Sequence, residues 1–588
     1  VEDAAGNWKQ HDGLRRHEPR IGAATALWAV AAIGAGAYIV VLGSKLSFLL
    51  DDWTYILDRR GFDLDTFLQP FNEHLVAADV AIWKLLVALF GIGSTLPYRL
   101  VSTAMLLLSA WFLFVWVRRR IGARPALFAT VPVLFLGAGF EDLLWFSSIS
   151  FLGAAACGLG MLVALDRGDR AGDRLACVWL TASMLFSSLW LAFAVGAAAD
   201  VALRRLERPW RPRAYLVTIP VVLYAIWWLG WGHSAESALS FANLAGTPRY
   251  VFDSIAAAIA AVLGLAIPVA STTAPNGLDW GQPLAVAAIA IAGRRVYRLQ
   301  RVPTSLWVVL AIGMTFWILG GLDLKAGRTA SASRYQVPGV IFLVLVAVEL
   351  LRGVEFGRRL LGPATAILAA AVISNVVFFH QASESFLSTS QIERADLAAV
   401  EITRDTVDPE FFLDEPLAGT PYLHLDAGSY LSARDHFGSP AYTSAQLAGS
   451  PEPARLHADN VLAAILAIEL KAAPAPPPAG GDTTVADATG PAEVPAAGCV
   501  RVPGGPESPL LRLPRGGVLL GATGGPIEDL RLARFATDEP SVDLRTAIPA
   551  GAGGELKIPR DRSDVPWRLR LDTGATATIC GLGGRQSS

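Results

Sequence analysis

Charge is scarce in this sequence. Asp, Glu, Lys and Arg make up 17% of its 588 residues and hydrophobic residues 53%, whereas a soluble chain carries about 25% charged residues. The apolar residues fall in long blocks and the mean hydropathy is +0.44. The sequence therefore reads as a polytopic membrane protein. A formal net charge of -2 lacks the basic footprint of a nucleic-acid binder, so no nucleic-acid partner is expected. Cysteine is scarce too, and four of them cannot build a disulfide scaffold. Cys157 and Cys177 lie in apolar blocks and read as packing residues. Cys499 and Cys580 lie in the polar C-terminal part and can pair if that part is extracytoplasmic. No cleavable leader is expected: the first twenty residues are polar, and the first apolar block is long enough to span.

The apolar blocks run roughly over 21–43, 97–117, 125–140, 148–165, 175–203, 214–232, 250–270, 283–293, 304–322, 337–351 and 361–379. Between them lie basic clusters at Arg118, Arg119, Arg120 and Arg124, at Arg167, Arg170 and Arg174, at Arg204 to Arg213, at Arg294 to Arg301, and at Arg352, Arg358 and Arg359. The positive-inside rule puts these clusters and the N-terminal arm 1–20 in the cytoplasm of a plasma-membrane protein. Parity then constrains the path. Block 175–203 has basic flanks on both sides, so it is expected to be two short helices broken near Ser187–Ser188. Only an odd number of crossings fits between Gly232 and Arg294, so block 250–270 is expected to be re-entrant or interfacial. Block 75–90 carries Asp79 and Lys84 and reads as a helix lying at the interface. Broken segments at membrane depth imply a cavity in the bundle.

This orientation makes a transmembrane domain over 21–380, with outer loops at 44–96, 138–147, 233–249, 271–282 and 323–336. The part 381–588 is then an extracytoplasmic C-terminal domain. Within it, Ala473–Gly498 is rich in Pro, Ala and Gly and reads as a linker or long loop. Short runs such as "GGVLLGA" and "WRLRLDT" between Gly/Pro turns read as strands of a small β-sandwich, completed by strands from before the linker.

Three outer loops carry the residues that could do chemistry. Loop 44–96 opens on "LLDDW" with the paired acids Asp51 and Asp52, and later holds Glu73 and His74. Loop 138–147 brings Glu141 and Asp142 beside Trp145. Loop 323–336 carries Lys325, Arg328 and Arg334, followed by Tyr335, on the side that basic residues avoid. Such a breach points to a bound anion, and at a membrane surface the available anion is a lipid phosphate. Ionised groups near hydrocarbon cost about 2.5–3.5 kcal/mol on insertion scales and tend to be functional or paired. A carboxylate there can take a proton from an acceptor hydroxyl, while the cations hold a departing phosphate.

An acidic dipeptide opening a long first outer loop, an interfacial helix in that loop and an outer "RY" before a late span resemble the GT-C superfamily. These are polyprenyl-phosphate-sugar-dependent glycosyltransferases, including actinobacterial arabinosyl- and mannosyltransferases. The resemblance covers about residues 20–380. It implies a polytopic helical bundle of about 10–12 membrane helices with an extracytoplasmic, mainly β C-terminal domain that binds glycan. It implies transfer of a sugar, with inversion, from a polyprenyl-phosphate donor to a glycan, lipid or protein acceptor outside the cell. The family's catalytic carboxylate maps onto Asp52 or Asp51, with Asp52 preferred. Its phosphate-binding residues map onto Arg334, Arg328 and Lys325, with Tyr335 beside them. Glu141 or Asp142 then positions acceptor or donor hydroxyls, and Glu73 and His74 join them. The acids are compatible with a divalent metal, but none is expected as a ligand.

Each of these residues has a plainer reading. Asp51 and Asp52 would favour a helix N-terminus, Glu141 and Asp142 a solvated turn, and Arg334 would snorkel to the headgroups. Two other classes also fit the sequence: a transporter or flippase of lipid-linked sugars, and a non-catalytic envelope protein whose outer domain binds polysaccharide.

Overall fold

The computed structural model describes residues 22–582 except 206, 207, 209, 236, 237, 267–276, 300, 326, 355, 356, 358, 360, 414–423, 477–491, 504–507, 539, 541, 545, 546 and 572–575. The expected N-terminal arm 1–20 and most of the expected linker lie outside the described residues. Among the described residues, six helices are long and apolar enough to cross a membrane: Ala23–Gly43, Leu96–Ile121, Phe146–Leu165, Thr304–Leu322, Ser333–Leu351 and Leu361–Ile402. The pair Ala123–Leu134 and Gly137–Leu144, bent by 43°, makes a seventh if taken as one span. Shorter apolar helices, Trp190–Leu203 and Tyr215–Gly230, join the bundle. The chain is a multi-pass membrane protein.

Local sequence explains where these helices stop. Leu96–Ile121 has Pro97 in its first turn and Arg118, Arg119 and Arg120 in its last, where cations meet the negative end of the helix dipole. It ends at Gly122, whose φ of 88° suits glycine.

The basic clusters gather at one end of the bundle and meet acids there. Arg120 pairs with Asp166 at 2.9 Å and Glu349 at 2.5 Å. Arg213 pairs with Asp200 at 2.7 Å and Asp173 at 3.3 Å, and Arg208 with Asp173 at 2.6 Å. Block 175–203 is indeed two helices, Arg170–Met184 and Trp190–Leu203, separated at residues 185–189. At block 250–270 the structure has one continuous helix, Phe241–Val262. Its first turn is tied by the Asn243 amide to the carbonyls of Leu322 and Leu324 at 3.2 and 3.1 Å. Its last turn is tied to Asn375, which donates to the Ala261 carbonyl at 3.0 Å and accepts from the Ala138 amide at 3.4 Å. Both ends thus sit at the end of the bundle opposite the basic clusters.

Small residues let that end close up. At Gly137, a Cβ would stand 2.0 Å from the Asn375 carbonyl oxygen. Only glycine lets the bend before Glu141 approach the Leu361–Ile402 backbone so closely.

The Leu361–Ile402 helix has 42 residues, roughly 63 Å at 1.5 Å per residue, about twice a hydrocarbon core. A boundary at 380 therefore falls inside a single rigid rod. Its far part packs on the helix Glu452–Ile465 of the C-terminal domain.

The domain holds a two-stranded ribbon of β1 (Phe412–Leu413) and β2 (Leu425–Asp426) and two antiparallel sheets. In the larger sheet the order is β3 (Leu470–Ala473), β9 (Gly553–Ile558), β6 (Gly516–Thr523), β11 (Thr576–Gly581) and β4 (Cys499–Val502). The smaller has β5 (Leu511–Arg512), β10 (Arg568–Leu571), β7 (Leu530–Ala533) and β8 (Val542–Asp543) in that order. Strand β3 precedes the linker and so completes the larger sheet from the other side of it. Cys499 and Cys580 form a disulfide between neighbouring strands β4 and β11. Asp459 joins helix to sheet by accepting the amides of Arg534, Phe535 and Ala536 at 2.8, 3.0 and 3.0 Å.

One apolar core fills the bundle. A second runs without interruption from Phe48, Trp53 and Trp83 in the first loop to Tyr430, Val461 and Leu520 in the C-terminal domain. The loop and the domain therefore bury apolar area against each other and are held as one body.

Candidate functional site

The first loop folds tightly after its span. Leu50 has a φ of 38°, a conformation that non-glycine residues adopt only when their surroundings hold them there. The cause is local. The Asp52 carboxylate accepts the Leu49 amide at 3.0 Å while the Asp52 amide donates to the Leu49 carbonyl at 2.8 Å. The short helix Asp51–Leu57 begins there, and a helix rotates adjacent side chains by about 100°. The two acids therefore part company. Asp52 turns inward, is 0% exposed, and accepts the Ser147 amide at 3.0 Å with its other oxygen. Asp51 turns into a polar cavity of about 60 Å³ that it lines with Asn72, Trp145, Arg334 and Tyr335.

Burial raises the Asp52 carboxyl to about 7, against the opposing pull of Arg99 and its two amide donors. Burial also raises the Asp51 carboxyl above its ordinary value, and Arg334 and Arg328 oppose that rise.

A second tight turn supplies the next residues. Phe71 and His74 exchange both backbone hydrogen bonds, at 3.1 and 3.0 Å, and Asn72 between them has a φ of 50°. The His74 ring meets Ser188 through Nδ1 at 2.9 Å, and the Ser188 hydroxyl donates to the Glu73 carbonyl at 3.1 Å. That hydroxyl has one proton, so Nδ1 carries the imidazole proton and Nε2 is left as an acceptor. Burial lowers His74 to about 4, with Glu73 opposing, so the ring is neutral at physiological pH. Ser188 lies in the break between the helices Arg170–Met184 and Trp190–Leu203.

Each cation of loop 323–336 has a carboxylate. Glu73 takes Lys325 at 2.5 Å and Arg328 at 3.1 Å, and Asp323 also pairs with Arg328. Burial would raise the Glu73 carboxyl, but Lys325 and Arg328 hold it below its ordinary value. Glu141 accepts both the backbone amide and the Nε of Arg334, at 3.0 and 3.1 Å. The Arg334 guanidinium also lies 5.6 Å from the Trp145 ring. These charges sit where the chain is otherwise apolar, and pairing is what makes them tolerable.

Beside the polar cavity lies a larger one of about 430 Å³. Its wall is mostly apolar, with Leu191, Tyr224, Phe316 and Trp317 among its residues, and Glu73, Asp323 and Arg328 at its charged side. His74, Phe151, Arg328 and Tyr335 line both cavities.

The sequence-predicted residues thus divide. Asp51, His74, Arg328, Arg334 and Tyr335 face the polar cavity, and Glu73 faces the apolar one. Lys325 and Glu141 stand behind the lining and hold Glu73 and Arg334. Asp142 is fully buried and lines neither cavity, and Asp52 fixes backbone. The sequence reading missed Tyr55, Asn72, Ser147, Ser148 and Ser150, all of which line the polar cavity. The run "SSIS" at 147–150 was the only signal of the three serines, and it reads equally as the start of a span. Among the described residues, no three His, Cys, Asp or Glu side chains group so as to hold a metal ion.

No protein-family profile matches the sequence, and no curated protein does. Solved structures similar in the course of the chain include the following two. One is ArnT from Cupriavidus metallidurans bound to undecaprenyl phosphate, at 13% identity and a TM-score of 0.44, covering 71% of this chain and 86% of that one. The other is the arabinosyltransferase EmbB from Mycobacterium smegmatis, at 12% identity and a TM-score of 0.34. That match covers 97% of this chain but 66% of EmbB, so this chain spans about two thirds of its length.

The contrast between the two acids can be measured as stability. Asp52→Ala strands the buried Leu49 and Ser147 amides, at about 1–3 kcal/mol each, and should lower the thermal unfolding temperature of the detergent-solubilised protein. Asp51→Ala strands no donor and should leave that temperature within a degree or two of the wild type.

Proposed function

We propose that this protein is an integral-membrane glycosyltransferase that moves a sugar from a polyprenyl-phosphate donor to a hydroxyl of an acceptor outside the cell. The observation that carries the reading is the pair of cavities, one apolar and one polar, that share Arg328 and Tyr335. A lipid-linked sugar has the same three parts in the same order. The isoprenoid lies in the apolar cavity, the phosphate at the shared wall, and the sugar beside Asp51.

Asp51 replaces Asp52 as the base, because Asp52 has spent both oxygens on backbone amides. The acceptor hydroxyl gives its proton to Asp51 as its oxygen bonds to the anomeric carbon. The bond from that carbon to the phosphate oxygen breaks on the opposite face, and its electron pair leaves with the phosphate. The configuration inverts. The donor is a phosphodiester with one negative charge, and the departing monoester gains another. Cations at the shared wall therefore bind the product side of the reaction more tightly than the donor, which is the condition for lowering the barrier.

The ion pairs modify the role expected for Lys325 and Arg328. Glu73 pairs with both, so a phosphate has to replace its carboxylate. Arg334 stays anchored by Glu141, which positions a cation rather than a sugar hydroxyl. Neutral His74 offers Nε2 as an acceptor at the junction. The C-terminal sandwich, continuous with the first loop through the shared core, presents the acceptor glycan.

Asp51→Asn should lower turnover of a polyprenyl-phosphate sugar by about 10²-fold or more, while binding of the free polyprenyl phosphate persists. Release of polyprenyl phosphate by the purified protein is the assay. The wild-type rate should fall on acidification as Asp51 takes up a proton, at a higher pH than an exposed carboxylate would give. A lipid-sugar carrier needs no base, so an active Asp51→Asn variant would favour that alternative.

Glu73→Gln removes the competing charge. Polyprenyl phosphate should bind this variant about tenfold more tightly than the wild type, read by titration in nanodiscs, since a charged pair contributes about 1.5–3 kcal/mol. Weaker or equal binding would mean that the phosphate does not go to Lys325 and Arg328.

A further inference from the structure

A groove of about 440 Å³ lies at the other end of the bundle, where the basic clusters gather. It opens between the helices Trp190–Leu203 and Tyr215–Gly230. Ala198, Val201 and Ala202 line it from the end of the first helix, and Ala214, Val217 and Thr218 from around the start of the second. Small side chains make the room, since three of these six are alanine. The flanks are apolar and exposed, with Leu203 at 48%, Ile219 at 45% and Val222 at 54%. In a multi-pass chain such a surface faces lipid. Further along, the same two helices close on each other where Trp190 and Tyr224 meet, ring centroids 5.1 Å apart. There Leu191, Ala192 and Tyr224 line the larger cavity of the candidate site.

The mouth of the groove is cationic, because Arg205 lines it together with Trp210. Five arginines lie between the two helices, and three of them have carboxylates. Arg204 takes Asp200 at 2.7 Å, Arg208 takes Asp173 at 2.6 Å, and Arg213 takes both acids. Among the described residues Arg205 and Arg211 have no ion pair. Arg211 stands 5.9 Å from the Trp210 ring, and that ring is half exposed, as aromatics are at a membrane–water boundary. A cation in bulk water needs no partner, but one on the rim of a lipid-facing groove meets the phosphates of the leaflet. A free anion would leave the apolar part of the groove unfilled. A second copy packed on this face about a two-fold axis would set its arginines against these. A lipid answers both halves of the groove, with an acyl chain for the apolar wall and an anionic headgroup for the arginines.

We infer that this groove binds one anionic phospholipid from the leaflet on the side of the basic clusters. Its headgroup lies against Arg205, with Arg211 beside it, and an acyl chain lies between the two helices. A zwitterionic lipid fits the groove but brings these cations no net charge. The site is separate from the two cavities and does not rest on the function proposed above. Its lipid fills the gap at one end of the same helix pair whose other end walls the larger cavity.

The test uses the full chain, delipidated in detergent and titrated with phosphatidylglycerol, phosphatidylcholine or glycerol phosphate. The readouts are the thermal unfolding temperature, which a ligand of the folded state raises, and the lipid retained in native mass spectrometry. We expect phosphatidylglycerol to raise the temperature saturably, about tenfold more tightly than phosphatidylcholine, and glycerol phosphate to leave it unchanged. Arg205→Gln, which has no ion pair to lose, should weaken phosphatidylglycerol about tenfold. Ala202→Phe fills the groove and should abolish the response to both lipids. Equal responses to the two lipids, or an Arg205→Gln variant that binds phosphatidylglycerol like the wild type, would overturn the inference. So would a glycerol phosphate response equal to that of phosphatidylglycerol, which would assign the arginines to a free anion. A folded Ala202→Phe that still retains the lipid would overturn it by placing the chain elsewhere. A wild-type dimer that Ala202→Phe turns into monomers would assign the face to a second copy and overturn it too. The lipid comparison and Arg205→Gln decide the matter even where Ala202→Phe fails to fold, and neither readout uses sugar transfer.

Discussion

Glu141 holds Arg334 by two hydrogen bonds, and Glu73 holds Lys325 and Arg328. These pairings are what the rest of the site depends on. Three cations at the rim of an apolar bundle would be expensive alone, and a loop carrying them would be driven into water. Paired, they stay within reach of a cavity. Their charge is balanced within the protein, so in the proposed function a ligand phosphate enters by exchange with a carboxylate rather than by filling a bare positive hole. Such exchange favours a ligand that brings more negative charge than the group it displaces. It also limits how strongly the site holds any anion, including its own product.

The second constraint is the position of Asp51. Its helix is only seven residues long and could not hold a geometry by itself. It is fixed from below by the Asp52 carboxylate and from the side by the C-terminal domain. Trp53 packs edge-on to Tyr430 at 5.7 Å, and Tyr430 donates to Glu401 at 2.7 Å. Arg60 reaches the Ser429 carbonyl and the Ser432 hydroxyl at 2.8 and 2.9 Å. At the far end of the loop Gly91, with a φ of 63°, leaves room for the Phe437 carbonyl to accept the Ile92 amide at 2.8 Å. The C-terminal domain is therefore a wall of the site's foundation as well as a candidate surface for the acceptor.

Much of this was legible in the sequence. Basic clusters orient spans through a physical rule, so parity alone located the break between the helices ending at Met184 and beginning at Trp190. Loop acids and out-of-place cations pointed to the three loops whose side chains meet around the two cavities. Legibility ended where side-chain direction decided the matter. Adjacent carboxylates look alike in a sequence, yet the rotation of about 100° between neighbouring helical residues sends Asp52 into the backbone and Asp51 into the cavity. The serines after Trp145 look like ordinary small residues at the start of a span, and their place on the cavity wall shows only in three dimensions. The pairing of Glu73 with Lys325 and Arg328 joins residues about 250 positions apart, and no local pattern announces it.

The most direct measurement is a structure of the protein with polyprenyl phosphate bound. The account predicts the phosphate at the wall shared by the two cavities, against Arg328 and Lys325, with the isoprenoid in the larger cavity and the Glu73 carboxylate displaced. A phosphate at the opposite, basic end of the bundle, or one bound while Glu73 still grips Lys325 and Arg328, would contradict it.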